Sequence, residues 1–124
     1  MTSTIMIVDD STMMLASLRD SLQGAGFIVV EASDGAAALD ALQSGPPPDV
    51  IITDLNMPKM DGLEFIAQAR TLDGSAFTPI LVLTTESQQA KREEARRIGA
   101  TGWLLKPVSS EDLTSVIRQL LPGT

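Results

Sequence analysis

Five short, unbroken apolar runs punctuate the chain: Ile5-Met6-Ile7-Val8, Phe27-Ile28-Val29-Val30, Val50-Ile51-Ile52, Ile80-Leu81-Val82-Leu83 and Gly102-Trp103-Leu104-Leu105. Each has the length of a strand and none alternates with polar residues, so each reads as a strand with both faces buried. Segments with helical spacing lie between them. The clearest has Leu113, Val116, Ile117, Leu120 and Leu121 on one face, behind Ser109-Ser110-Glu111-Asp112, which supplies a cap and first-turn acids. Another carries Met14, Leu18 and Leu22 behind a capping Ser11, and a third Leu63, Ile66 and Ala67. Strands alternating with helices predict a parallel sheet covered on both faces, an α/β fold of five βα units.

Those five units use up all 124 residues, the size of one ordinary domain. Ser44-Gly45-Pro46-Pro47-Pro48 is expected to be a loop ahead of the third strand, not a domain boundary. The expectation is one domain over residues 1–124 with no output domain attached. A net charge of −7 argues against nucleic-acid binding, which needs a basic face. The chain has no Cys and no His, which excludes thiol chemistry, imidazole metal sites and His-based acid–base catalysis. No apolar run is long enough to cross a bilayer, and the segment Met1–Ile5 lacks the pattern of a secretory leader. A soluble, cytoplasmic protein with no membrane insertion is expected.

In open parallel sheets, sites form outside the carboxyl ends of the strands. The residues there are Asp9-Asp10, Glu31, Asp54, Thr84-Thr85 and Lys106. An acid pair such as Asp9-Asp10 is by itself an ordinary companion of a helix N-terminus, Lys106 an ordinary surface lysine, and Thr84 an ordinary strand-end residue. Together they make a different case. Asp9, Asp10 and Asp54 brought close would repel one another unless a hard divalent cation lay among them, and Mg²⁺, which takes few protein oxygens, suits such a set. Lys106 would add a second positive charge and Thr84 a hydrogen-bond donor. This is what phosphoryl transfer to a carboxylate nucleophile at Asp54 requires. Asp61 reads as a turn and capping residue beside Gly62, not a metal ligand, and Asp34-Gly35 as an ordinary turn.

Four motifs at these strand ends, Asp9-Asp10-Ser11, Asp54-Leu55-Asn56-Met57-Pro58-Lys59-Met60-Asp61-Gly62, Leu83-Thr84-Thr85-Glu86-Ser87 and Gly99 through Pro107, are similar to those of response-regulator receiver domains. The sequence most resembles the single-domain chemotaxis regulators of the CheY type, and the likeness covers essentially the whole chain. Leu15 and Val108 depart from that type, which often has Arg and Phe there.

The resemblance implies a doubly wound, flavodoxin-like three-layer sandwich with strand order 2-1-3-4-5. It implies Asp54 as phosphoacceptor, Asp10 as direct Mg²⁺ ligand, Asp9 as a ligand largely through water, and the Asn56 backbone carbonyl as the remaining protein ligand. By the same resemblance Lys106 contacts the phosphoryl group, Thr84 is the switch hydroxyl, Trp103 holds the aromatic switch position, and the Lys106-Pro107 peptide is cis. Asn56 and Glu86 occupy the positions that tune dephosphorylation, and as polar residues they predict a short-lived phosphoryl state.

The implied activity is that of a stand-alone, monomeric regulator, not an enzyme with a separate substrate, that catalyses its own phosphorylation and dephosphorylation. The donor is a partner histidine kinase, acting in trans because the chain has no His. Output is phosphorylation-dependent binding of a target protein, in chemotaxis. The fourth helical segment, Ser87–Ile98, has only Ala90, Ala95 and Ile98 as apolar residues. It reads either as a solvated, salt-bridged helix or as part of the target surface that the family forms from helix 4, strand 5 and helix 5. A phosphorelay intermediate, a phosphate sink and a phosphorylation-independent adaptor are alternative roles. A phosphohydrolase of the haloacid dehalogenase type would need a second Asp two residues after the first, where this chain has Asn56.

Overall fold

The computed structural model describes residues 2–121; Met1, where a leader would begin, and residues 122–124 of the expected domain lie outside them. Strands β1 (Thr4–Val8), β2 (Ile28–Ala32), β3 (Val50–Thr53), β4 (Ile80–Thr84) and β5 (Gly102–Leu105) alternate with helices α1 (Thr12–Gly24), α2 (Gly35–Ser44), α3 (Gly62–Ala69), α4 (Gln89–Arg97) and α5 (Ser110–Leu120). A single turn of 3₁₀-helix, Asp73–Ser75, follows α3. All the strand pairs are parallel and the sheet order is β2-β1-β3-β4-β5, the doubly wound arrangement expected.

Successive strand residues point to opposite faces, so each strand feeds two cores. Met6, Val8, Ile51, Ile80 and Val82 pack with Leu39 and Leu42 of α2, Phe65 and Ile66 of α3, and Ala95 of α4. Ile5, Ile7, Ile52, Leu81 and Leu83 pack with Leu15, Leu18 and Leu22 of α1 and with Leu113 and Ile117 of α5. Burying each large aliphatic or aromatic side chain contributes about 1.5–3 kcal/mol, so the central strands anchor both layers. Leu15, one of the departures from the chemotaxis type, fills the α1–α5 core, and Val108 packs against it.

The local signals differ from the sequence reading in four places. β2 starts after Phe27 and runs through Glu31, so Glu31 is a strand residue and not a strand-end one. β2 also lies on the sheet edge, where Ile28 and Val30 stay 52% and 37% exposed despite their apolar character. Coverage on both faces holds for β1, β3 and β4, not for the edges. In α3 the buried positions are Phe65, Ile66 and Ala69, while Ala67 faces solvent, because the helix begins at Gly62 and turns its stripe accordingly. Asp34-Gly35 opens α2 instead of forming a free turn: the Asp34 side chain accepts the Ala37 N–H at 2.7 Å. Ser44 is the last residue of α2, so the proline-rich loop starts at Gly45.

Candidate functional site

Strand register assembles the site. β1 and β3 pair with Val8 opposite Thr53, so the next residue of each, Asp9 and Asp54, emerge side by side at the carboxyl edge. β4 and β5 pair with Thr84 opposite Leu105, so Lys106 emerges one position beyond. Lys106 reaches back past β4 and its Nζ lies 2.9 Å from Asp9 Oδ2 and 3.1 Å from Asp54 Oδ2. Burial alone pulls the Lys106 ammonium down, but hydrogen bonds and charge from Asp9 and Asp54 outweigh it and raise its pKa above the ordinary lysine value.

Each carboxylate is also held by the backbone. Asp9, only 3% exposed, accepts the Ser11 N–H at 2.9 Å through Oδ1. Asp54 accepts the Leu55 N–H at 2.7 Å through Oδ1, with the Asn56 N–H at 3.5 Å. Asp10 is exposed at the rim, yet one oxygen from each of Asp9, Asp10 and Asp54 falls within 4.8 Å of the others. Three carboxylates face one ammonium, leaving negative charge to be balanced. The ligand atoms offered are all hard oxygens, the donor set that Mg²⁺ prefers.

Thr84 is fully buried at the end of β4, where its hydroxyl accepts the Glu86 N–H at 3.2 Å and keeps its own proton to donate. The Thr84 carbonyl accepts the Lys106 N–H at 2.8 Å, tying the two strand ends. Asn56 and Glu86 line one small cleft with Asp61 and Lys91. The Lys106-Pro107 peptide is cis. Asp61 is the N-cap of α3, accepting the Glu64 N–H at 2.9 Å, and contributes nothing to the acidic cluster. Glu31 faces solvent away from the cluster and pairs with Arg19 at 3.1 Å. Trp103 is half-buried against the α2–α4 core and borders a cavity of about 240 Å³ with Arg92, Arg96 and Thr101.

Two residues at the site escaped the sequence reading. Thr53, ahead of Asp54, donates its hydroxyl to the Asp54 carbonyl at 2.9 Å. Gly62 lies so close that an ideal Cβ would collide with that same carbonyl oxygen. A threonine ending a β-branched run and a glycine after Asp look ordinary in sequence; only their nearness to Asp54 gives them meaning.

Residues 5–118 match the family model of the response regulator receiver domain. The chain belongs to this family. Among solved structures, this receiver domain superposes on chemotaxis protein CheY4 of Vibrio cholerae with TM-score 0.93 at 41% identity, covering 98% of this chain and 100% of that one. It is 39% identical over 124 residues to response regulator MprA of Mycobacterium bovis, and spans about half (53%) of that protein's length. The receiver domain of sensor histidine kinase PA1611 from Pseudomonas aeruginosa, with magnesium coordinated in its active-site cleft, shares the fold with TM-score 0.88 at 23% identity, covering 97% of this chain and 98% of that one. Among the described residues no helix is long and apolar enough to cross a membrane.

Proposed function

We infer that this receiver domain accepts a phosphoryl group on Asp54 from the phosphohistidine of a partner kinase. One observation carries the reading: Asp54 shares Lys106 with Asp9 at hydrogen-bond distance, while Asp10 brings a third carboxylate to the same spot. A carboxylate oxygen of Asp54 attacks phosphorus, the P–N bond to the imidazole breaks, and its electron pair stays on the ring nitrogen, which takes up a proton. Lys106, already protonated, moves from the carboxylates to the transferred phosphoryl oxygens. The Leu55 N–H keeps the attacking carboxylate aimed. Thr84 donates a hydrogen bond to the phosphoryl group through the O–H that its bond from the Glu86 N–H leaves free. Asp9, Asp10, Asp54 and the Asn56 carbonyl would hold Mg²⁺, which when bound neutralises charge on the equatorial oxygens during transfer. Asn56 and Glu86, across the cleft, orient the water that later removes the phosphoryl group, so the charged state is short-lived and the domain catalyses both steps on itself.

Output follows from a shift between two states of the α4–β5–α5 face. α4 buries only Ala95 among its residues and has no side-chain N-cap, so little holds it in one position. Arg92, Arg96 and Trp103 beside it offer a target protein charge and aromatic area. The likeness to CheY4 over both whole chains favours a chemotaxis role, and altered swimming on deletion of the gene is its check. The comparable likeness to MprA favours a different output, for which kinase profiling and unchanged swimming would speak.

The experiment is incubation with Mg²⁺ and acetyl phosphate, read by intact mass and by the emission of Trp103, the one tryptophan of the sequence. A single Mg²⁺-dependent adduct in the wild type and none in Asp54→Asn is expected, with a change in emission. An adduct that persists in Asp54→Asn, or none in the wild type, overturns the reading.

A further inference from the structure

Thr53 ends β3 with its side chain fully buried (0% exposed). A buried strand position asks only for the branched shape, which valine supplies as well. The hydroxyl therefore calls for its own account. It donates at 2.9 Å to the carbonyl oxygen of Asp54. A second element closes on the same group: a Cβ at Gly62 would collide with that oxygen and stand 2.7 Å from Leu55 Cα. Gly62 N–H also donates to the Leu55 carbonyl at 2.8 Å. The Asp54–Leu55 peptide is thus fixed by a hydroxyl and by a glycine packed against it.

A peptide unit is planar and rigid, so fixing its oxygen fixes its N–H. Here that N–H belongs to Leu55 and donates at 2.7 Å to Asp54 Oδ1. One rigid plane connects the Thr53 hydroxyl to the Asp54 carboxylate. We propose that Thr53 is a positioning residue for phosphoryl transfer: its hydroxyl sets the rotation of the Asp54–Leu55 peptide and, through the Leu55 N–H, the aim of the carboxylate at phosphorus. The proposal rests on Asp54 being the acceptor. Thr53 touches neither donor nor phosphoryl group; it acts through one peptide plane. In-line attack is sensitive to such aim, a misplacement of about 1 Å costing up to about a hundredfold in rate.

Thr53→Val keeps the branched shape and removes the O–H; Thr53→Ser keeps the O–H and removes the methyl. The test is the maximal rate of phosphorylation of each full chain by acetyl phosphate at saturating Mg²⁺, with donor dependence and urea midpoint measured alongside. Thr53→Val should lose about tenfold in maximal rate with its half-saturating donor concentration little changed, and Thr53→Ser should stay within about twofold of the wild type. Both variants lose stability, one a hydrogen bond and the other a buried methyl, so a merely structural role would slow both alike. A wild-type rate in Thr53→Val, or equal slowing in Thr53→Ser, overturns the positioning role while leaving the acceptor reading intact. A wild type that takes up no phosphoryl group overturns both. Should Thr53→Val not fold, Thr53→Ala set against Thr53→Ser makes the same comparison.

Discussion

Arg70 Nε and Nη2 both donate to the carbonyl oxygen of Gly99, at 3.1 and 2.7 Å. The same guanidinium donates through Nη1 to the carbonyls of Thr78 at 2.6 Å and Ser75 at 2.9 Å. One side chain thus joins the end of α3, the loop before β4 and the turn after α4. Arg70→Met keeps much of the apolar stem and leaves these carbonyls without their donor. The expected loss is about 2–4 kcal/mol, seen as a lower urea midpoint. An unchanged midpoint would show that water replaces the guanidinium without cost.

Lys106 occupies the carboxylate oxygens that a cation would use. Lys106→Met therefore separates binding from reaction. Mg²⁺ should bind it at least as tightly as it binds the wild type, read as a larger Mg²⁺-induced rise in melting temperature. Phosphorylation by acetyl phosphate should slow about a hundredfold, because a preorganised cation beside the developing charge is gone. Weaker Mg²⁺ binding would mean the ammonium organises the carboxylates more than it competes for them.

Asp10 is the exposed member of three crowded carboxylates. In the presence of a chelator, Asp10→Asn removes repulsion and should raise the melting temperature by about 2–5 °C. Added Mg²⁺ should then stabilise the variant much less than the wild type. Calorimetry with and without Mg²⁺ measures both; a variant that melts earlier in chelator would show that Asp10 does not feel its neighbours.

Asp34 caps α2 through its bond to the Ala37 N–H. Asp34→Ala should cost about 1 kcal/mol, and Asp34→Asn much less, in urea unfolding. Equal losses would assign the effect to charge instead of the cap.

The fold was legible because its strands are continuous apolar runs, and the site because Asp9 and Lys106 follow such a run directly and Asp54 follows one after a single threonine. Parallel register turns that sequence coincidence into proximity. Asp34-Gly35 misled because the same dipeptide serves a free turn and a helix start, and only the burial of Ala38 and Leu39 behind it decides between them. Glu31 misled because an edge strand has a wet side, so a charged residue continues it at little cost. Thr53 was hidden by its aptness: a threonine ends a strand well whether or not its hydroxyl has work to do. The Gly62 contact depends on how α3 leaves the loop, which no local pattern encodes.

The bridge from Lys106 to Asp9 and Asp54 joins the end of β5 to the ends of β1 and β3. A chain made from its N-terminus has all three acids exposed for many residues of synthesis before their ammonium exists. A nascent or truncated copy lacking β5 has the three carboxylates but not the ammonium that bridges two of them. If Asp54 is the acceptor, competence to receive a phosphoryl group thus arrives only with β5, and a half-made copy would draw none from a donor.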